Sequence, residues 1–156
     1  MKIAIDADNN GAKLKKELLA RLSEMGYDIR DLAFLDHNKD KDYPDVAYNL
    51  ADKIRKKEFD RGILICGTGL GMAIMANKVP GVYAGACSDV YAAERLCKSN
   101  NAQVLTLGSK VMGEGSAIAV AEAFIKSEFQ GGGSLPKYNR IREIEKEIFS
   151  EKDGKW

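Results

Sequence analysis

Apolar and polar positions follow two rhythms along this chain: short unbroken apolar runs, and longer stretches in which apolar residues return every three or four positions. Lys2-Ile3-Ala4-Ile5-Asp6-Ala7 is short and β-branched and stops at the polar cluster Asp8-Asn9-Asn10-Gly11, which predicts a buried strand and then a loop. From Ala12 to Met25, Leu14, Leu18, Leu22 and Met25 recur at helical spacing, and Gly26 stands where a C-terminal cap belongs. Tyr27 to Leu32 alternates with period two, as a strand near a sheet edge does. Pro44, with Asp42 or Tyr43 before it, suits the first turn of a helix whose apolar stripe is Val46, Leu50, Ala51 and Ile54. Gly62 to Cys66 is continuously apolar, as a central parallel strand covered on both faces must be, and Val82 to Cys87 and Gln103 to Leu107 share that character. Ala73 to Asn77, Tyr91 to Lys98 and Ser116 to Phe129 read as helices between and after them. Strand and helix therefore alternate throughout, which predicts an α/β fold: a five-stranded parallel sheet, helices on both faces and right-handed crossovers. Gln130-Gly131-Gly132-Gly133-Ser134 then breaks regular structure, and Tyr138 to Phe149 resumes it as a C-terminal helix carrying Ile141, Ile144 and Ile148.

The chain has 156 residues, the length of one domain, expected here over 1–150. Within it, 130–150 is the hinged helix, free by sequence to pack on its own sheet or on a neighbouring subunit, and 151–156 reads as a frayed tail. Lys and Arg number 24 against 23 Asp and Glu, a net charge of +1, so no global field draws in nucleic acid or an anionic membrane. Any anionic ligand has to be met by a local cluster. Cys66, Cys87 and Cys97 are an odd count with no C-x-x-C pair, and the start shows no basic segment leading into an apolar stretch; a reduced cytoplasm is the expectation. No apolar run approaches the roughly 20 residues that cross a bilayer.

Ligands of open α/β sheets bind beyond the carboxyl ends of the strands, so the residues after the apolar runs are the informative ones. Cys66-Gly67-Thr68-Gly69-Leu70-Gly71 follows the most apolar strand. Alternate glycines let backbone N–H groups converge on an anion, although Met72 stands where a dinucleotide fingerprint needs its third glycine. Cys66 can be a thiolate poised by that loop, serving as base or nucleophile, or a small apolar residue closing a strand. Cys87 and Cys97 lack such a loop and are read as packing. Asp8, ahead of Asn9 and Asn10, can bind hydroxyls or cap the helix that follows. Ser99-Asn100-Asn101, taken with Lys110 after the last strand, suits a polyhydroxylated ligand or a turn. Lys137, Arg140 and Arg142 can supply a positive cluster or a solvated helix face. His37, the single histidine, lies in the charge run His37 to Asp42, which leaves a histidine triad or a histidine-rich metal site without material.

The block Asp60 to Gly81, with Cys66-Gly67-Thr68-Gly69-Leu70-Gly71-Met72 at its centre, resembles the signature of the ribose-5-phosphate isomerase B and galactose-6-phosphate isomerase family. The likeness extends from the first strand through Asp42-Tyr43-Pro44 and Asn100-Asn101-Ala102-Gln103-Val104 to Gly113, and more loosely into the C-terminal helix. It implies a three-layer Rossmann- or flavodoxin-like fold, a homodimer or dimer of dimers with active sites at the subunit interface, and no metal or nucleotide cofactor. It also implies aldose–ketose isomerisation of a sugar phosphate through a cis-enediolate. Cys66 matches the base, Gly67, Gly69 and Gly71 the oxyanion loop, and Thr68 the hydroxyl that assists proton movement between oxygens. Asp8, Asn9, Tyr43, Ser99 and Asn100 match substrate-binding positions, and Lys110, Lys137 and Arg140 the phosphate-binding ones.

Four departures stand beside the matches. Relatives that open furanose rings carry an imidazole at a position equivalent to Ser88 or Ser99, and both are serine here. Asn9 replaces a histidine, and Lys110 an arginine, which changes a forked donor into a point charge. The missing imidazoles fit a substrate that needs no ring opening, such as a tetrose 4-phosphate, and Ala93-Glu94-Arg95 with Ser99-Asn100-Asn101-Ala102-Gln103 resembles the branch acting on D-erythrulose 4-phosphate. Ribose 5-phosphate remains the alternative. Two other readings stay open: a non-catalytic sugar-phosphate- or nucleotide-binding module on the same fold, and one subunit of a hetero-oligomeric isomerase.

Overall fold

A computed structural model describes residues 1–35 and 42–150. The charge run around His37 and the tail 151–156 lie outside the described residues. Five parallel strands, β1 (Lys2–Ala7), β2 (Asp28–Asp31), β3 (Arg61–Cys66), β4 (Ala84–Ala86) and β5 (Val104–Gly108), form one sheet in the order β2-β1-β3-β5-β4. Helices α1 (Ala12–Glu24), α5 (Val90–Lys98) and α6 (Glu114–Lys126) cover one face. The other face carries the single turn α2 (Leu32–Leu35), α3 (Tyr43–Arg55) and α4 (Leu70–Ala76).

Strand alternation sorts the core. Ile3, Ile5, Ile63, Ile65, Leu105 and Leu107 turn toward Leu14, Leu18 and Leu22 of α1 and Val120 and Phe124 of α6. Ala4, Leu64, Cys66 and Val104 turn toward Val46, Leu50 and Ile54 of α3 and Met72 of α4. Because each central strand is covered on both faces, it reads as an apolar run rather than an alternation. The edge strand β2 keeps its alternation, with Ile29 buried between exposed Asp28 and Arg30.

Several boundaries differ from the sequence expectation. β4 holds three residues instead of the six from Val82 to Cys87, because Val82 donates its N–H to Val79 in a turn and the Tyr83 N–H goes to the Gln103 side chain. On the outer edge of β4, Asn77 accepts the Ala84 N–H at 2.9 Å and donates to the Ala84 carbonyl at 2.8 Å, so a side-chain amide occupies the place of a neighbouring strand. α4 begins at Leu70 rather than Ala73, which puts Gly71 in a helical first turn and leaves Gly67 to Gly69 as the loop proper. α6 ends at Lys126, where Ser127 turns extended.

The glycine run forms a short 3-10 turn over Gly132–Ser134, and α7 (Leu135–Ser150) follows it. α7 has no buried residue, and Ile141, Ile144, Ile148 and Phe149 face an open groove shared with Asn77, Lys78 and Tyr83. Its own sheet therefore does not cover the apolar stripe.

Candidate active site

The order β2-β1-β3 reverses the direction of winding at β1, and the crevice beyond the carboxyl ends of β1 and β3 is where such a sheet holds its ligand. Asp8 leaves β1 there and Cys66 closes β3 beside it; the Asp8 N–H donates to the Ile65 carbonyl at 3.2 Å. Cys66 is only 6 % exposed, and its Sγ accepts the Gly69 N–H at 3.1 Å. Gly69 has φ +81°, a left-handed conformation that costs an L side chain about 1–2 kcal/mol, and a Cβ there would stand 3.0 Å from the Leu107 backbone. The Thr106 hydroxyl donates to the Gly69 carbonyl at 2.8 Å. The loop is thus fixed from below by β5 while its upper side stays open, with Thr68 exposed and its Oγ1 accepting the Leu70 N–H at 3.3 Å.

Neighbouring elements close around it. The Tyr43 ring, at the start of α3, lies against Gly71: a Cβ at that glycine would fall 2.6 Å from the ring. Tyr43 is 43 % exposed, so its other face is open to solvent. The stem of Lys110 runs over Gly67, where a Cβ would also meet Asn10, and its backbone N–H donates to the Gly67 carbonyl at 3.0 Å. Asp8 accepts the Gly11 N–H on Oδ1 at 3.0 Å, which makes it the former of the turn before α1; its second oxygen takes no partner among the described residues. Asn9 is exposed in the same turn. A carboxylate, a phenol, a lysine, a hydroxyl and a thiol are gathered around one glycine loop, a set suited to holding a polyhydroxylated anion while a proton is moved.

Ser99, Asn100, Lys137 and Arg140 are elsewhere. α5 runs back against the strands, so Ser99 and Asn100 lie at the amino edge of the sheet, before β5 begins, and not with Lys110 at its carboxyl edge. This corrects the grouping of Ser99-Asn100-Asn101 with Lys110. The Arg95 guanidinium donates to the Ser99 hydroxyl, and the Arg95 carbonyl accepts from the Asn100 amide at 3.4 Å. Lys137 and Arg140 sit on α7, which is tied to the turn before β4 at that same amino edge, and Arg140 pairs with Glu143 and Glu147 of its own helix. The anticipated residues therefore form two groups at opposite ends of the sheet. Cys87 and Cys97 are buried; burial, with Asp89 nearby, pushes the Cys87 thiol up to about 11, and Cys97 donates to the Ser127 carbonyl at 3.0 Å.

Two features were not anticipated. The Ser109 hydroxyl donates to the Asn10 carbonyl at 2.8 Å while its N–H donates to the Cys66 carbonyl, stitching the β1, β3 and β5 loops together. Beneath the Asp8 turn, Asp6 and Asp31 share Lys15, at 3.5 and 2.8 Å. A charge inside the first apolar run was the visible sign of the second; nothing in Gly108-Ser109-Lys110 signalled the first. Among the described residues no group of three or more His, Cys, Asp or Glu could hold a metal ion, and no helix is long and apolar enough to cross a membrane.

Comparison with known proteins gives a consistent picture. Residues 3–144 match the Ribose/Galactose Isomerase family. A D-erythrulose-4-phosphate isomerase of Pectobacterium atrosepticum is 45% identical over 90% of this chain and 93% of its own length. A ribose-5-P isomerase B of Listeria innocua is 41% identical over 93% of this chain and 97% of its own. The solved ribose-5-phosphate isomerase B of Clostridium thermocellum superposes with a TM-score of 0.88 at 42% identity, covering 95% of this chain and 99% of that one.

Proposed function

This chain belongs to the ribose/galactose isomerase family and is an aldose–ketose sugar-phosphate isomerase, and from that premise we propose that Cys66 is its base and an open-chain tetrose 4-phosphate its preferred substrate. The observation that carries the proposal is the Cys66 sulfur beside a glycine loop fixed from below, with serine at both positions where an imidazole would open a ring. In the aldose-to-ketose direction the Cys66 thiolate takes the proton from C2 and returns it to C1, and the Thr68 hydroxyl passes the other proton between the two oxygens. The Gly69 and Leu70 N–H groups are held by Cys66 and Thr68, so the enediolate charge falls on the Gly71 N–H, which has no acceptor within the first turn of α4. Asp8, Asn9 and Tyr43 take sugar hydroxyls, and Lys110 takes the phosphate from its own subunit.

Esterification of O4 stops a tetrose from closing a furanose, so this substrate reaches the enzyme as open chain or hydrate and needs no imidazole. The 45% identical relative named for erythrulose 4-phosphate supports that choice. Ribose 5-phosphate is the second reading, favoured by the 41% identical ribose-5-P isomerase B. The separation of the two residue groups supports a homodimer, or a dimer of dimers, in which Ser99, Asn100, Lys137 and Arg140 of one copy complete the Cys66 loop of another. The uncovered apolar stripe of α7 supports the same assembly.

Proton NMR in D2O tests this directly, with D-erythrose 4-phosphate and ribose 5-phosphate supplied separately and Cys66→Ala as control. The expected result is ketose formation with deuterium at the transferred position, a higher kcat/KM for the tetrose, and a loss of at least about a hundredfold in kcat for Cys66→Ala. Equal or higher efficiency on ribose 5-phosphate overturns the tetrose assignment. Retention of exchange in Cys66→Ala overturns the base.

A further inference from the structure

α7 is joined to the body of the fold by one carboxylate and one aromatic ring. Glu145 accepts the Gly81 N–H on Oε1 at 2.9 Å and the Tyr83 hydroxyl on Oε2 at 3.2 Å. Around it the rings of Tyr83 and Tyr138 meet edge to face at 5.8 Å, Phe129 lies 5.3 Å from Tyr138, and the Arg142 guanidinium stands over Tyr138 at 5.8 Å. No residue of α7 is buried, so the helix is held at two points on one face: the Tyr138 ring against Tyr83 and Phe129, and the Glu145 carboxylate gripped on both oxygens by one short turn. Burial and the Glu145 charge push the Tyr83 phenol up to about 12, so it stays a donor across the working range of pH.

Resting on the function proposed above, we infer that Glu145 is a positioning residue for phosphate: its grip on Gly81 and Tyr83 aims Lys137 and Arg140 at the phosphate of a substrate held in a neighbouring copy. Held at Tyr138 alone, α7 is free to roll about its own axis, and a roll of about twenty degrees carries a side-chain tip roughly 6 Å from that axis by about 2 Å. Charge-assisted hydrogen bonds to phosphate are spent well within that distance. The chemistry at Cys66 needs no such aim, because its loop is fixed by β5 of the same chain.

Glu145→Ala should raise KM for the phosphorylated substrate about five- to tenfold with kcat within twofold, and raise the inhibition constant of inorganic phosphate by the same factor. Glu145→Gln, which can still accept the Gly81 N–H, should recover most of the loss. In a Lys137→Ala/Arg140→Ala background the same Glu145→Ala change should add less than twofold. An unchanged KM, a fall in kcat alone, or a full additional loss in that background overturns the inference. Failure of the functional reading looks different, since the unmodified protein would then turn over no sugar phosphate. Inorganic phosphate binding, followed by NMR titration of the parent and Glu145→Ala, would still judge the grip: equal affinities overturn it.

Discussion

Asp6 is 5 % exposed near the carboxyl end of β1, with Oδ1 accepting the Ala7 N–H at 2.8 Å and Lys15 Nζ 3.5 Å away. Burial pushes its carboxyl above the ordinary range, against the downward pull of the Ala7 N–H and Lys15, and Asp31 pushes it further up. A folded pKa above the unfolded one means that the stabilising contribution is complete below the unfolded carboxyl pKa and is lost as pH rises through the folded value. Asp6→Asn keeps the acceptor for Ala7 and leaves Lys15 its closer partner Asp31 at 2.8 Å. It should therefore melt higher than the parent at pH 7, with the gap closing as pH is lowered toward 4. Thermal melts across that range check it, and a gap that widens toward acid contradicts it. The sequence displays Asp6 as a charge inside an apolar run, yet its partner is nine residues on in α1, and only the fold reveals that Lys15 reaches back over the strand end. Cys66 was legible for the opposite reason: the glycine loop that meets its sulfur lies within the next few residues, although Thr106 and Ser109, which fix that loop, do not.

Elements end where the backbone can leave them, and α3 leaves through an unusual residue. Lys57 has φ +61°, its N–H donating to the Ile54 carbonyl at 2.9 Å while the Glu58 N–H reaches the Lys53 carbonyl at 3.0 Å. That is the double hydrogen bond which normally places glycine in the left-handed position. Lys57→Gly should stabilise the protein by about 1 kcal/mol, seen as a higher urea midpoint with an unchanged slope. A lower midpoint would mean that the Lys57 stem contributes more packing than its backbone costs. The central strands β1, β3 and β5 were readable because coverage on both faces writes itself as apolar runs, and the edge strand β2 because its alternation survives. The turn α2 was not, since four residues are too few to show a helical period. β4 was overread, because the apolar character of Val82 comes from packing against the α4 side of the sheet while its backbone is already in a turn.

At the scale of the whole molecule, the carboxyl edge carries the thiol proposed as base and the amino edge carries Arg140, so on that proposal a chain that has lost one can still lend the other. Equal amounts of Cys66→Ala and Lys137→Ala/Arg140→Ala chains, each weakened or inactive alone, should on refolding together recover about a quarter of parental activity: half the dimers are mixed, and each has one intact site of two. No recovery, measured by ketose formation, would mean that the two groups serve the same site within one chain or none at all. Which residues would meet across the proposed copies was beyond reach of the sequence, because spacing along a chain says nothing about a symmetry axis. The amide of Asn77 against Ala84 has a consequence for how such copies can come together. An open sheet margin is a template on which another chain can crystallise its own strand, and unchecked growth of that kind leads to fibres. On the β4 side the template is already filled by a single side chain, which leaves the association proposed above to the helices.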